Sequence, residues 1–580
     1  MLKRLLFISL TLSAVACSGT EEPTPPAGLS VTVGSIFPAG TAVRDAYTGK
    51  TATVEADGTV RFEPGAEGVI LIEKDGAQDD LPAFTWDNAI VYFVMLDRFM
   101  NGDPSNDHSY GRASDGGDEI GTWHGGDLAG LTAKLDHIAD LGANAIWITA
   151  PYEQIHGWVG GGGLGEFKHY GYHGYWALDF TTVDANYGDR AALAAFVDAA
   201  HARGIRVIMD VVLNHPGYPN TQDMAELRVN VVEPDWATWE PAPGGDYFYF
   251  DILFDRHNDA WLDWWSPAWI RMTDVGPVGP NGYPACGTND LTRCVGYLPD
   301  FKTDSALSVQ PPPFYAHKPD TRVVALPDAS VREYLVTWLS DWVREFGIDG
   351  FRCDTAKHVE RTAWGELKDA GQAALDEWRA ANPSKKLDDL PFWMTGEVFS
   401  YSVTSEGKND YFSTAKMDSL INFEFQGRAN SLTNSTDEME TLYSAYAERI
   451  NQDPSFNVLS YISSHDTSLF FEKQAKGDTA RQRAVGTALM LVPGGIQVFY
   501  GDETARPFGP TGSDPNQGTR SDMNWDAIDA PTLAHWQTLG RFRQRHPAIA
   551  AGAHQKLEGE AYTFARTLGD DAVVIVVTQP

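Results

Sequence analysis

Hydrophobic positions follow two rhythms along this chain, and the change between them divides it. From residue 28 to about 82 apolar and polar residues alternate with period two, as in Leu29-Ser-Val-Thr-Val33 and Gly68-Val-Ile-Leu-Ile-Glu73, with Gly, Asp and Pro between the runs. That pattern predicts a small β domain over 28–84. From about residue 85 short apolar runs rich in β-branched and aromatic residues alternate with amphipathic stretches of helical period. The predicted strands are 89–95, 143–149, 206–212, 347–353, 392–395, 419–423, 458–462 and 496–500, with helices such as 189–203 and 331–346 between them. Repeated βα units predict an α/β protein built on a (β/α)8 TIM barrel. The third strand is followed by a long stretch rich in Trp, Gly, Pro and Asp, about 216–328. It is too long for a loop and is expected to form an inserted lobe. The barrel is then 85–215 and 329–540, and 541–580 reads as a short C-terminal β segment.

Composition narrows the partners. The 580 residues exceed one core, and 43% apolar content fits a folded chain. A formal net charge of −35 argues against nucleic acid, which needs a basic face, and suits a neutral ligand and bound divalent cations. Aromatics make up 12% of the chain, a surplus that a sugar-binding cleft can use, because pyranose C–H faces stack on rings. The first 17 residues read as a signal peptide with a lipobox: Lys3 and Arg4, an apolar run from Leu5 to Val15, then Ala14-Val-Ala-Cys17. The run is too short to span a bilayer. The expectation is a periplasmic or outer-membrane lipoprotein, or a secreted protein, touching membrane only through a lipid on Cys17. Residues 18–27 form its tether, and the chain is read as a monomer. Cys286 and Cys294 could pair in an oxidising compartment, whereas Cys353 falls inside an apolar strand and is expected to be a buried thiol.

Chemistry-bearing residues collect just past the strand ends, the catalytic face of such barrels. Strand three runs into Asp210-Val-Val-Leu-Asn214-His215. Strand four runs into Arg352-Cys-Asp354-Thr-Ala-Lys357-His358, strand five into Thr395-Gly-Glu397, and strand seven into Ser463-Ser-His465-Asp466. Alternation puts Arg352 and Asp354 on one inward face, where the guanidinium would keep the carboxylate ionised. Carboxylates converging on one barrel mouth are what glycosidic cleavage needs: one protonates the leaving oxygen, another attacks the sugar or activates water.

These four segments, with Leu298-Pro-Asp300-Phe301, Gly171-Tyr-His-Gly-Tyr175-Trp176 and Gly494-Gly-Ile-Gln-Val-Phe-Tyr-Gly-Asp-Glu503, resemble in order the conserved regions of glycoside hydrolase family 13, the α-amylase family. The resemblance implies a retaining hydrolase of α-1,4-glucosidic bonds in starch, glycogen-like glucans or maltodextrins. Asp354 would be the nucleophile, Glu397 the acid/base and Asp466 the stabiliser of the distorted sugar. Tyr175, His215 and His465 would hold that sugar, with Arg352 beside the nucleophile, and Lys357 and His358 would hold the next one on the leaving side. It also implies calcium where lobe meets barrel, at Asn214, Asp300 and the His358 carbonyl. A second calcium is implied in a loop carrying Asn101, Asp103, Asn106, Asp107, Gly125 and Asp127. Exo-action forming maltooligosaccharides, glucanotransfer and α-1,6 cleavage use the same machinery, and a non-catalytic glucan-binding lipoprotein is the rival of another class.

Overall fold

The computed structural model describes residues 28–77, 81–113, 120–229, 232–255, 257–273 and 282–578; the predicted signal peptide, Cys17 and the tether lie outside them. Eight parallel strands close into a barrel: β1 (Ile90–Val94), β2 (Ala145–Ile148), β3 (Arg206–Val211), β4 (Gly350–Cys353), β5 (Trp393–Gly396), β6 (Ser419–Asn422), β7 (Val458–Ser460) and β8 (Gly495–Phe499). Strand β8 returns to β1 with Ile496 opposite Ile90. Each of the eight predicted runs overlaps a barrel strand, and six contain theirs whole. They were readable because both faces are covered, so each strand is a nearly continuous apolar run.

Helices pack outside the strands. Val331–Phe346 begins at a capping box, Ser330 with Glu333, and ends at Gly347 in the left-handed region (φ 74°), so the chain turns directly into β4. Its inward stripe includes Trp338 and Trp342. Trp269 of the insert stacks on Trp338 at 5.4 Å and 5°. Trp264, Trp265 and Phe301 are buried in the same core. The Trp-rich insert is thus docked on the barrel by a shared aromatic core. Within it Ile270–Arg271 pairs with Asp300–Phe301, and Cys286 is bonded to Cys294. Cys353 is a buried free thiol.

The two β-rich ends meet. Ala553–Leu557, Tyr562–Leu568, Asp571–Val577, Val69–Lys74, Ala42–Asp45 and Thr51–Thr53 form one six-stranded sheet in that order. Asp571–Val577 is Val-rich and needs a neighbour on both edges; Val69–Lys74 supplies one of them. Buried Glu73 then receives Arg44, Arg545 and His546, which ties the sheet to the end of the helix Ala530–Arg545. Among the described residues no helix is long and apolar enough to cross a membrane.

Candidate active site

The register of β3 and β4 places Asp210 opposite Arg352, both facing the barrel interior. Arg352 is 1% exposed and spreads its guanidinium over three carboxylates. Nη1 donates to Asp354 Oδ1 at 2.6 Å and to Asp210 at 3.1 Å, and Nη2 lies 3.1 Å from Glu397 Oε2. The same-face placement of Arg352 and Asp354 follows from strand alternation. The chain turns after Asp354 through Thr355, a non-glycine residue in the left-handed region (φ 46°), and that turn aims its N–H at Glu397 Oε2, 3.0 Å away. Local strain thus serves to fix the second carboxylate.

Asp466 approaches from beyond β7. Its Oδ1 accepts from Arg520 Nη2 at 2.8 Å, and its Oδ2 lies 2.9 Å from His465 Nε2. Arg520 also donates to the His465 carbonyl. Tyr175 donates its hydroxyl to Asp210 Oδ2 at 2.8 Å and stacks parallel on His465 at 5.1 Å. Trp147 Nε1 adds a further bond to Asp210.

Electrostatics separates the acids. Burial pushes Asp354 and Glu397 above the usual carboxylate range; Arg352 opposes this, and the neighbouring carboxylates add to the rise. Asp210 is pushed up to about 7, again by burial first, with Arg352 opposing. Asp466 behaves oppositely: burial would raise it, but His465, Arg520 and Arg352 outweigh that and hold it well below the usual range. His215 is lowered to about 4 by burial, so its ring is neutral at neutral pH; burial also lowers His465, with Asp466 opposing. The mouth therefore holds carboxylates of unequal proton affinity, the arrangement that lets one acid donate a proton while another stays ionised.

The sequence model for the alpha amylase catalytic domain matches residues 93–262 and 313–552. The chain belongs to the α-amylase family. It is 48% identical to the periplasmic alpha-amylase of Escherichia coli over 94% of this chain and 80% of that protein. It is 27% identical to a cyclomaltodextrinase of a Bacillus species over 86% of this chain and 73% of that one. In fold it is similar to an Anoxybacillus alpha-amylase, with a TM-score of 0.59, 24% identity, and coverage of 86% of this chain and 88% of that one.

The other positions the α-amylase resemblance singled out fall in three places. Asn214 and His215 sit beside the mouth, joined by a 3.1 Å contact between Asn214 Nδ2 and His215 Nδ1. Lys357 and His358 follow β4 and meet the insert: Lys357 Nζ lies 3.4 Å from Asp290, and His358 Nδ1 is 2.9 Å from the Asp290 carbonyl. The early loop gathers Asn101, Asp107 and Asp127, with Asn101 Nδ2 donating to Asp107 at 2.8 Å. Asp127 accepts from the backbone of Gly102, Asp103 and Gly130, while Asp103 turns its own carboxylate to Ser105.

The donor sets fit a hard cation unequally. In the early loop Asn101 Oδ1 and Asn106 Oδ1 are buried with no hydrogen-bond partner. A Cβ on Gly125 (φ 92°) would lie 2.5 Å from Asn101 Nδ2 and 2.6 Å from Asp107 Oδ1, so only glycine allows this close approach. Oxygen atoms without donors suit calcium. At the junction Asn214 Oδ1 is likewise buried and unpartnered, but Asp300 is bonded to Arg271 Nη1 at 2.8 Å. Burial still raises Asp300 to about 7 despite that guanidinium.

Sequence reasoning missed Arg520 as a site residue. It lies in a loop beyond β8 with no strand end to mark it. Asp210 stood in a quoted motif without a role, and the structure makes it the third acid on Arg352. His156, Asp223 and Glu226 form a further close group. There His156 bonds Glu226 through Nδ1 at 2.6 Å and Glu153 through Nε2 at 2.8 Å.

Proposed function

We propose that this protein hydrolyses α-1,4-glucosidic bonds of starch-like glucans and maltodextrins with retention of the α configuration. Asp354 attacks the sugar to form a covalent glycosyl-enzyme. Glu397 protonates the leaving oxygen, then deprotonates the water that releases the product. The arrangement of Arg352 across Asp354, Asp210 and Glu397 carries this reading. The guanidinium opposes the rise that burial gives Asp354 and so favours its ionised form, and burial leaves Glu397 with the raised proton affinity a donor requires. Asp466, held ionised by Arg520 and His465, accepts sugar hydroxyls and stabilises the developing positive charge. His215, neutral, and His465 bond the same sugar and Tyr175 packs against it. Lys357 and His358 meet the next sugar.

Calcium fits the early loop best. Asn101, Asn106 and Asp107 would hold it, with Gly125 leaving the space and Asp127 bracing the loop backbone. Bound there, the ion supplies charge that fixes the loop. At the junction calcium would join Asn214, Asp300 and the His358 carbonyl, and must displace Arg271 from Asp300; we assign that site the weaker affinity. Excess chelator is expected to lower the melting temperature and calcium to restore it; an unchanged melt removes the calcium assignment. The kinship to a periplasmic enzyme supports export, and the sequence Ala14-Val-Ala-Cys17 supports a lipid anchor on Cys17.

The experiment that tests the reading is a product profile on defined maltooligosaccharides. We expect new reducing ends from the wild type and a loss on the order of 10^3-fold or more in Asp354→Asn. Equal release by both would remove the hydrolase assignment. The same profile separates internal from end-wise cleavage and hydrolysis from transfer.

A further inference from the structure

The disulfide-closed loop Cys286–Cys294 reaches from the insert to the segment just after β4, and one residue in it makes both contacts there. The Asp290 carbonyl accepts from His358 Nδ1 at 2.9 Å, and its carboxylate lies 3.4 Å from Lys357 Nζ. The loop is rooted at both ends on the small sheet of the insert: Met272 bridges Ala285 before it, and Val295–Tyr297 leads from it toward Asp300–Phe301. Inside, Gly287 N–H donates to the Thr292 carbonyl at 2.8 Å and Leu291 N–H to Asn289 Oδ1 at 2.9 Å. Cross-link, roots and internal bonds leave Asp290 few alternative positions, because a closed loop has far less conformational freedom than an open one.

The two contacts orient rather than stabilise. Lys357 and Asp290 are 43% and 45% exposed, and an exposed ion pair adds little to folding. A carbonyl can only accept, so His358 must carry a proton on Nδ1, which fixes the ring's orientation and leaves Nε2 to bond a sugar hydroxyl. The carboxylate of Asp290 meanwhile limits where the Lys357 ammonium can swing. The loop thus presets both side chains that face the leaving-side sugar, without touching the three carboxylates on Arg352.

We propose that Asp290, held by the Cys286–Cys294 disulfide, is a positioning residue for the leaving-side sugar and so sets which bond of a maltooligosaccharide is cut. This rests on the reading of Lys357 and His358 given above. The test compares wild type, Asp290→Ala and Cys286→Ser/Cys294→Ser on maltopentaose to maltoheptaose and on 4-nitrophenyl maltoside, whose leaving group is not a sugar. For both variants we expect kcat/KM on the oligosaccharides to fall roughly 3- to 10-fold, the effect of a lost hydrogen bond. We expect cleavage to move toward the reducing end, and the loss on the nitrophenyl substrate to be at least about three-fold smaller. Reduction of the wild type with dithiothreitol should reproduce the double-serine pattern. An unchanged cleavage distribution in Asp290→Ala, or equal losses on both substrates, overturns the proposal. Asp290→Ala leaves the cross-link and the carbonyl on His358 in place and removes only the carboxylate beside Lys357, so it tests that carboxylate's positioning role even where the cysteine variant folds poorly. A wild type that cuts no maltooligosaccharide would instead overturn the functional reading itself.

Discussion

Two groups of buried carboxylates lie near the barrel's catalytic face, and they are wired oppositely. At the mouth Asp210, Asp354 and Glu397 share one guanidinium, Arg352, and burial raises all three. Beside the insert, Glu153 is bonded by two cations, His156 Nε2 at 2.8 Å and Lys318 Nζ at 2.7 Å. His156 also reaches Glu226 and Asp223, and Lys318 also reaches Asp179 and Asp320. Burial would raise Glu153 as well, but His156 and Lys318 outweigh it and hold it at about 2. Within that second network the rule repeats: Asp223, with less cationic contact, is raised by burial to about 6. The same residue types thus give acids of raised proton affinity where three carboxylates share one guanidinium, and a fixed ion pair where one carboxylate is bonded by two cations. The first arrangement can do acid–base chemistry, and the second anchors the insert to the loop after β2.

Substitutions can break this contrast, and the largest effect is expected at the mouth. Asp354→Asn should lower turnover on maltooligosaccharides by on the order of 10^3-fold or more while the melting temperature is kept or rises, since one repelling charge is removed. A variant that keeps its rate would make the mouth a structural cluster like the other. Next comes Lys318→Met, which leaves Glu153 and Asp179 short of a cation in the interior. Denaturant unfolding should show a loss of about 3–5 kcal/mol, the cost of breaking a buried pair from one side. A loss under about 1 kcal/mol would mean that water reaches the site.

The smallest effect sharpens the contrast through pH. His156 is raised to about 9: burial would lower it, but Glu153 and Glu226 more than compensate. A raised histidine stabilises the fold fully below its unfolded value of about 6.5, and the contribution fades as pH climbs through about 9. His156→Gln should therefore cost more stability at pH 6 than at pH 9.5, read from denaturation midpoints at both. An equal cost at both pH values would show that the ring is uncharged.

The barrel was legible because its strands are apolar on both faces and its acids stand at strand ends; Asp354, Glu397 and Asp466 could be named from those two facts and the family likeness. Arg352 could be paired with Asp354 from period-two geometry alone. Less was legible where contacts join distant segments. The pairing of Asp571–Val577 with Val69–Lys74 links chain ends about 500 residues apart, and nothing local announces it. Arg520 reaches Asp466 from a loop without periodicity. Arg271 stands against Asp300, where a calcium ion was expected, because the insert's short strands bring together residues that no motif connects. The Cys286–Cys294 spacing suggested a bond, but not that the loop would place Asp290 on Lys357 and His358.

The contrast between the two carboxylate groups is tested most directly by one paired measurement. Reducing-end release from maltopentaose is followed for Glu397→Gln and Glu153→Gln at equal concentrations of folded protein. The account expects Glu397→Gln to lose on the order of 10^3-fold and Glu153→Gln to stay within about five-fold of wild type, its cost appearing in stability instead. Comparable losses of turnover in both variants would contradict it.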